Sequence, residues 1–365
     1  MKRVLFLTNI ASPYRVHFYD ELAKSMDVTV LYTDRAEDAR DRSADWFVPG
    51  DGVYRPVQLE HRVARLQGES LCTDVIAWLK KPYDAIVVCG YSSPTAMLAM
   101  HWLRMKKIPF YLEVDGGLIR QEGKGKFLLK KSLVGKASWW ISSGQNTTDY
   151  LVHYGAQRER VYVYPFSSVQ EKDILPAVLP AGEKQAAKEA LGIPEGRMVL
   201  SIGQFIPRKG FDILMRAAAG LEKDIGFYIV GGEPTEEYRK LREELGLENV
   251  HFVGFRKKDA LARYYRAADL FVLPTREDIW GLVINEAMAF GLPVITTDRC
   301  VAGLELVEDG VNGGIVPVED SDALARKIRE ALSADLEKMG EQSLKKIRPY
   351  TIENMAKVHV EIFGG

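Results

Sequence analysis

Short apolar runs alternate with helical patterns along the whole chain. Such runs are typical of buried strands, and apolar residues spaced every three or four positions favour amphipathic helices. The apolar runs predict strands at 4–8, 28–32, 85–89, 110–114, 139–142 and 161–163, and a second series at 199–203, 227–230, 251–253, 270–273, 294–297 and 314–316. Helical patterns lie between them, as at 14–25, 70–80 and 94–105. This alternation predicts an α/β fold class with βαβ units and mostly parallel sheets.

A proline-containing stretch with little periodicity separates the two series of strands. We therefore predict a Rossmann-like N-terminal domain at 1–165, a linker at 166–182, a Rossmann-like C-terminal domain at 183–346 and a final helix at 347–365. A chain of 365 residues with 47% hydrophobic content can give each domain its own core. The carboxyl edges of both sheets are then expected to face a central cleft.

Charge and cysteine content narrow the class of protein. The formal net charge of −1 argues against a general nucleic-acid binder, because such domains are strongly basic. The three cysteines are far apart and give neither a disulfide framework nor a metal-binding pair, which fits a reducing cytosol. The first apolar run is too short for a signal peptide, and no run is long enough to span a bilayer. We expect a cytoplasmic protein whose only membrane contact is peripheral.

Two acids lie eight positions apart around a predicted junction between a strand and a helix. Asp278 belongs to the loop that follows the run 270–273, and Glu286 lies one to two turns inside the helix that Gly281 opens. Backbone N–H groups near Gly281, Leu282 and Val283 would be free to bind an anion such as a sugar diphosphate. For an isolated pair of acids, the simpler interpretation is a helix-start acid and an exposed helix residue.

Three stretches together resemble the retaining family 4 glycosyltransferases of the GT-B fold, whose signature is E-x7-E. They are Asp278-x7-Glu286 with the following AMAFGLPVI, GQFIPRKG at 203–210, and FVGFR at 252–256. One departure is that Asp278 stands where the family has its first Glu, although Glu277 precedes it directly. The resemblance implies an acceptor-binding N-terminal domain, a nucleotide-sugar-binding C-terminal domain and a last helix that crosses back to the N-terminal domain.

The resemblance also implies roles for residues of the C-terminal domain. Asp278 would approach hydroxyls of the transferred sugar, and Glu286 would accept hydrogen bonds from the ribose. Arg208 and Lys209 would hold the departing diphosphate, whose developing negative charge adjacent cations stabilise. A bare Arg-Lys pair would otherwise indicate only an exposed basic turn. Gly203 would let the backbone approach the phosphate closely.

Other candidate contacts are less specific. The resemblance places the nucleotide base near Phe255 and Arg256, although Arg256 is equally typical of a solvated charge. In the N-terminal domain, Asp115 follows the run 110–114, near the place where many family members have a His, and could position the acceptor hydroxyl or accept its proton. An Asp in a tight turn is the simpler alternative. Arg15 and His17 are further candidates for acceptor contacts.

The segment 124–136 combines five lysines with five bulky apolar residues. Basic amphipathic segments bind anionic membrane surfaces, so this segment could carry the enzyme to the inner membrane; an ordinary surface helix is the alternative.

The leading hypothesis is a retaining hexosyltransferase-type enzyme without a metal or cofactor. It would transfer a sugar from a nucleotide-diphosphate donor, with UDP favoured by the resemblance, to a saccharide acceptor. We expect a lipid-linked acceptor in bacterial polysaccharide biosynthesis, such as that of lipopolysaccharide or capsule. A nucleotide-sugar 2-epimerase of the same fold and a noncatalytic saccharide-binding module are the alternatives.

Overall fold

The computed structural model describes residues 1–35, 52–66 and 68–364. The chain forms two compact units. The first contains Met1–Ser167 together with Tyr350–Gly365, and the second contains Ser168–Pro349. The polypeptide therefore passes between the units twice, and both ends of the chain belong to the first unit.

The first unit is built on a parallel sheet. Its strands are β1 (Arg3–Thr8), β2 (Asp27–Tyr32), β3 (Arg55–Gln58), β4 (Arg62–Leu66), β5 (Glu69–Cys72), β6 (Ala85–Cys89), β7 (Tyr111–Val114), β8 (Trp139–Ser142) and β9 (Val161–Val163). In the described residues the sheet order is β3-β2-β1-β6-β7-β8-β9, and β4 pairs only with β5. The six predicted strands are confirmed to within one residue. The sequence did not predict β3, β4 and β5, because they are short and the first two are mostly exposed.

The helices of this unit cover its sheet. They are α1 (Pro13–Ala23), α2 (Val75–Leu79), α3 (Pro94–Met105), α4 (Lys124–Val134) and α5 (Gln145–His153). The helix predicted at 94–105 is confirmed at both ends. The helix predicted at 70–80 is wrong in its first part, where the chain forms β5. Tertiary contacts explain the difference, because Ser70 Oγ donates to Asp34 and the Cys72 N–H donates to Thr95 Oγ1.

The second unit is also built on a parallel sheet. Its strands are β10 (Arg197–Ile202), β11 (Ile225–Val230), β12 (Val250–Val253), β13 (Leu270–Leu273), β14 (Val294–Thr297) and β15 (Gly313–Val316). Within the described part of the chain their order is β12-β11-β10-β13-β14-β15, so the direction of winding reverses between β10 and β13. Open α/β sheets bind ligands at the carboxyl ends of the strands beside such a reversal. The second series of predicted strands is confirmed to within two residues.

Helices pack around this second sheet as well. They are α6 (Ala181–Leu191), α7 (Phe211–Ala219), α8 (Glu236–Glu244), α9 (Lys258–Ala267), α10 (Leu282–Ala289), α11 (Val301–Leu306), α12 (Ser321–Ser333) and α13 (Leu336–Ile347). The core between sheet and helices is apolar and closely packed, with fully buried side chains such as Val199, Phe211, Phe227 and Leu270. This packing holds the strand ends of the sheet in fixed positions.

The last helix, α14 (Ile352–Gly364), belongs to the first unit. It packs along α1, and the ring of its His359 lies 4.8 Å from that of Phe18 and 4.9 Å from that of Tyr164. At the end of the helix, Lys2 Nζ donates to Phe363 O at 2.7 Å. The predicted fold class, two Rossmann-like α/β units with the last helix on the first, is confirmed.

Candidate functional site

Asp278 lies just beyond the carboxyl end of β13, in the loop that leads to α10. Lys209 Nζ donates to its Oδ2 at 2.7 Å, and Arg208 Nη1 lies 3.5 Å from the same oxygen. Asp278 is only 8% exposed. The structure thus brings together, beside the reversal of winding, three of the residues that the sequence predicts to act on the donor.

The two cations are carried by a 3-10 turn, Pro207–Lys209, between β10 and α7. Two glycines make room for this turn. A Cβ at Gly203 would lie 3.2 Å from Lys209 Cε, and a Cβ at Gly210 would lie 2.0 Å from the carbonyl oxygen of Pro274. The close approaches fix the turn against the neighbouring strand ends, whereas the predicted contact of Gly203 with phosphate stays a prediction.

Helix α10 begins beside Asp278. Gly281 precedes it with φ +100°, a left-handed conformation that favours glycine, and a Cβ there would lie 2.8 Å from Cys300 Sγ. Leu282 and Val283 form the first turn and are half-buried. Their N–H groups cannot bond within the helix, and the positive end of the helix dipole favours an anion. The predicted helix start is present; that it binds phosphate stays a prediction.

Glu286 projects from the same helix into a separate hydrogen-bond network. Ser168 Oγ donates to its Oε1 and Tyr265 OH donates to its Oε2, both at 3.0 Å. Burial raises the pKa of Glu286, and the two hydroxyl donors oppose this rise. The two signature acids therefore have different partners, and the roles predicted for them stay predictions.

Phe255 and Arg256 follow the carboxyl end of β12. Phe255 is 44% exposed. Arg256 Nη1 donates to the carbonyl oxygen of Phe255 at 3.1 Å, so the exposed guanidinium lies over its own loop. An exposed aromatic ring at a strand end is suited to stacking on a base, and this role stays a prediction.

In the first unit, Arg15 lies behind Asp115. Its Nη1 donates to Glu113 Oε1 at 2.5 Å and its Nη2 donates to Asp115 Oδ1. Tyr164 OH also donates to Asp115 Oδ1, at 2.9 Å. The Arg15 side chain is 5% exposed and that of Asp115 is 23% exposed. The Arg15 guanidinium is thus buried against two carboxylates, and His17 lies half-buried on the same helix. The acceptor contacts predicted for both residues stay predictions.

Sequence reasoning missed the rest of this network. Burial alone would raise the pKa of Glu113, but Arg15 beside it and the nearby His359 hold the pKa at about 2. His359 Nδ1 bonds to Met355 O, and its Nε2 lies 3.5 Å from Glu113 Oε2. Burial raises the pKa of Asp115; Arg15 opposes the rise and Glu113 adds to it. The sequence did contain one signal, which is the single acid Glu113 within the apolar run 110–114. A buried charge requires a partner, so such an acid predicts a buried ion pair.

Only some of the apolar residues of helix α4 are buried. Leu133 and Val134 are buried, whereas Leu128 and Leu129 are 61% and 53% exposed. Lys124, Lys126 and Lys131 are exposed around them, while Lys130 pairs with Glu122 at 2.8 Å. We call the exposed leucines and the three exposed lysines the α4 patch. That this patch binds an anionic membrane stays a prediction.

Neither a membrane span nor a metal cluster is found in the described ranges. No helix among residues 1–35, 52–66 and 68–364 has the length and hydropathy to cross a bilayer. In the same ranges, His, Cys, Asp and Glu side chains form no group of three or more that could hold a metal ion. The three cysteines are free thiols.

Curated relatives share sequence with this chain, and two of them are the following D-inositol 3-phosphate glycosyltransferases. The protein from Mycolicibacterium gilvum is 38% identical over 168 residues, which is 44% of this chain and 37% of the relative. The protein from Streptomyces bingchenggensis is 33% identical over 257 residues, which is 65% of this chain and 53% of the relative. The chain thus aligns with about half, or less, of the length of these relatives.

Solved structures share the fold over the whole chain. Sucrose-phosphate synthase from Thermosynechococcus elongatus has a TM-score of 0.77 at 20% identity and covers 100% of this chain and 98% of its own. Anabaena HepE in complex with UDP has a TM-score of 0.77 at 19% identity, with both chains covered in full. The fold is therefore the GT-B fold.

A family model matches the second unit. Residues 183–348 match the model described as Glycosyl transferases group 1. This stretch includes both signature acids and the turn Pro207–Lys209. The unit that places two cations on Asp278 is therefore the part of the chain that matches the Glycosyl transferases group 1 family.

Proposed function

We propose that this protein is a glycosyltransferase that moves a sugar from a nucleotide-diphosphate donor to a hydroxyl of a saccharide acceptor. The contact of Lys209 and Arg208 with Asp278 carries the proposal. It places two cations and a buried carboxylate next to a helix start at the ligand-binding edge of the sheet. The family match over residues 183–348 supports the same donor class.

In the proposed reaction, the bond from the anomeric carbon to the phosphate oxygen breaks and a bond from that carbon to the acceptor oxygen forms. The acceptor proton passes to the leaving phosphate oxygen on the same face, so configuration is retained. Lys209, Arg208 and the start of α10 neutralise the charge that develops on the diphosphate. When the diphosphate engages the two cations, Asp278 can accept hydrogen bonds from hydroxyls of the sugar. Because these protein groups would neutralise the diphosphate without a metal ion, we expect EDTA to leave turnover unchanged.

The nucleoside would bind further along the same edge. Glu286, held by Ser168 and Tyr265, would accept hydrogen bonds from the ribose, and the exposed ring of Phe255 would stack on the base with Arg256 beside it. The structure of Anabaena HepE is described as a complex with UDP, which supports a UDP-sugar donor for this chain.

The acceptor would bind at the first unit, where Asp115 would position its hydroxyl. A hydrogen bond from Tyr164 and an ion pair with Arg15 fix the Asp115 carboxylate, so its direction is set before substrate arrives. His17 is a further candidate for an acceptor contact. WaaG, described as a glycosyltransferase involved in lipopolysaccharide biosynthesis, has a TM-score of 0.69 at 19% identity, which supports a polysaccharide setting for this chain.

The α4 patch supports a lipid-linked acceptor at the inner face of the cytoplasmic membrane. Exposed leucines among lysines bind anionic bilayers by burying apolar area and by charge attraction. Cosedimentation with anionic vesicles tests this part of the proposal. We expect binding that salt weakens and that the double variant Leu128→Ser, Leu129→Ser abolishes. Salt-insensitive binding, or binding unchanged in the variant, would exclude the α4 patch.

A polyol phosphate is a second candidate acceptor, because the two curated relatives are named for D-inositol 3-phosphate. A direct test incubates the protein with a panel of nucleotide sugars and follows released nucleoside diphosphate, first alone, then with membrane extract, then with inositol phosphate. Release enhanced by extract supports a lipid-linked saccharide, and release enhanced by inositol phosphate supports the polyol. A changed sugar nucleotide formed without acceptor would indicate the 2-epimerase, and binding without turnover would indicate a noncatalytic module.

A further inference from the structure

Arg276 joins three segments of the second unit through its side chain. Its Nη1 and Nη2 donate to the two carboxylate oxygens of Asp212 at 2.9 and 2.7 Å. Nη1 also donates to Pro207 O at 2.6 Å, and Nε donates to Glu319 at 2.7 Å. The partners lie in the first turn of α7, at the start of the cation-bearing turn and before α12. Every nitrogen of the guanidinium therefore already has a protein partner.

The backbone next to Arg276 is bonded to the same turn. The Arg276 N–H donates to Arg208 O at 2.8 Å, and Thr275 Oγ1 donates to that oxygen at 2.9 Å. In the other direction, Arg208 Nη1 donates to Glu277 O at 2.9 Å. The loop that ends at Asp278 and the turn that carries the two cations are thus bonded to each other from both sides.

The chemistry of these contacts requires arginine. A planar guanidinium can bind a carboxylate with two parallel N–H groups and still donate to a third and a fourth partner. A lysine ammonium, which is a single point charge, cannot span Asp212, Pro207 and Glu319 from one position. The hydrogen bonds that Arg276 donates to Asp212 and Glu319 raise its pKa above the ordinary value, so it stays charged. Its charge is compensated by these acids, so it is not a third cation for the diphosphate.

Glu319 binds Arg276 from an unusual backbone conformation. It is a residue other than glycine with φ +65°, in the left-handed region that side chains seldom adopt. The conformation directs its carboxylate to Arg276 Nε at 2.7 Å. Backbone strain of this kind persists where surrounding contacts hold it.

We propose that Arg276 is a positioning residue that fixes the turn Pro207–Lys209 relative to Asp278, so that the cations meet the diphosphate while the acid meets the sugar. The inference rests on the proposed function of this site. Arg276 would touch neither the sugar nor the diphosphate and would act through Arg208 and Lys209. Without it, both cations would remain in the chain but their distance from the carboxylate would no longer be fixed.

A double-mutant cycle tests this role. Arg276→Ala and Arg208→Ala are made singly and together, and each protein is assayed for affinity for UDP by calorimetry and for release of nucleoside diphosphate from the active donor. We expect Arg276→Ala to lower kcat/KM by about 10-fold to 100-fold. In the Arg208→Ala background the same change should cost no more than about threefold, because residues that act through one another are not additive. Arg276→Lys should recover little of the loss.

Arg329→Ala is the matched control. Arg329 pairs with Glu222 at 3.1 Å and donates to Gly220 O at 2.8 Å, so it also joins a carboxylate and a carbonyl in this unit. We expect Arg329→Ala to retain the UDP affinity and turnover of the wild type.

The outcomes distinguish a failure of the positioning role from a failure of the donor site. Equal losses from Arg276→Ala in both backgrounds, or full recovery in Arg276→Lys, would overturn the positioning role while leaving the donor site intact. If Arg208→Ala and Lys209→Ala bind UDP as tightly as the wild type, or the wild type does not bind it, the proposed donor site itself fails, and the inference with it.

Discussion

Gly210 allows the cation-bearing turn to touch the loop before Asp278, and replacing it tests whether that contact matters. The residue has φ +68° and ψ 23°, and an added Cβ would lie 2.0 Å from Pro274 O. Gly192, at the end of α6, has nearly the same conformation, φ +69° and ψ 31°, but no described atom lies within 4 Å of its added Cβ. The pair therefore separates backbone strain from steric overlap.

The structure gives the size of each effect. A Cβ in the left-handed region costs about 1–2 kcal/mol, and this applies equally to Gly192→Ala and Gly210→Ala. At Gly210 the contact must also open from 2.0 Å to at least 3.0 Å, the shortest separation that real Cβ atoms show. The turn or the Pro274 loop must then move by about 1 Å, and a displacement of that size at a reacting site can lower turnover by about 100-fold.

Urea unfolding and steady-state release of nucleoside diphosphate measure the two effects. We expect both variants to lose about 1 kcal/mol or more of the free energy of unfolding. Gly192→Ala should keep full kcat, whereas Gly210→Ala should lose about 10-fold to 100-fold in kcat/KM. Equal turnover in the two variants would refute the view that this close approach sets the geometry of the cations.

Three further predictions concern Asp278, Glu286 and Glu113. Asp278→Asn should bind UDP within about threefold of the wild type but lose about 100-fold or more in turnover, since a neutral amide interacts less strongly with the sugar and the cations; turnover within twofold of the wild type, by nucleotide release, would exclude the role. Glu286→Gln should weaken donor binding by about 10-fold in calorimetry and yet raise stability at pH 8. A raised folded-state pKa means that the wild type loses stability as the pH rises through it, and Gln does not ionise; a variant less stable than the wild type at pH 8 would contradict this. Glu113→Gln should lose about 3 kcal/mol at pH 7 in urea unfolding, because Arg15 and His359 lose a buried charged partner. The depressed pKa of Glu113, about 2, contributes stability above pH 4.5 that is lost as the pH falls through 2, so the difference should shrink only in acid; a difference constant from pH 7 to pH 2 would refute the assignment.

The strands and the start of α10 could be predicted because their signals are local. The run 270–273 is fully buried, and the glycine at 281 adopts the left-handed conformation that a glycine before a helix permits. Each of these features depends on a few consecutive residues, so the alternation of strands and helices identified them and their order.

The missed features depend on contacts between distant parts of the chain. The local pattern around Ser70 predicts a helix, and only its contacts with Asp34 and Thr95 explain the strand. In the same way, the sequence shows Arg276 only as a charged loop residue, because its partners Asp212 and Pro207 are distant in the chain. The buried pairing of Arg15 with Glu113 was missed because the two residues lie far apart in the sequence. Burial and pairing of charges are tertiary properties, which a single sequence encodes only indirectly.

The first unit is assembled from two segments that are far apart in the sequence, and this affects how it folds during biosynthesis. The ribosome synthesises Met1–Ser167 long before Ile352–Gly364. During that time Phe6, Phe18 and the Glu113 carboxylate lack their contacts with Phe363 and His359 of the last helix. The intervening unit has its sheet complete before the last helix appears and can fold while the earlier one is unfinished. A fragment ending at Ser167 is then expected to aggregate, whereas a fusion that joins residues 1–167 to 350–364 through a flexible linker should yield a soluble first unit.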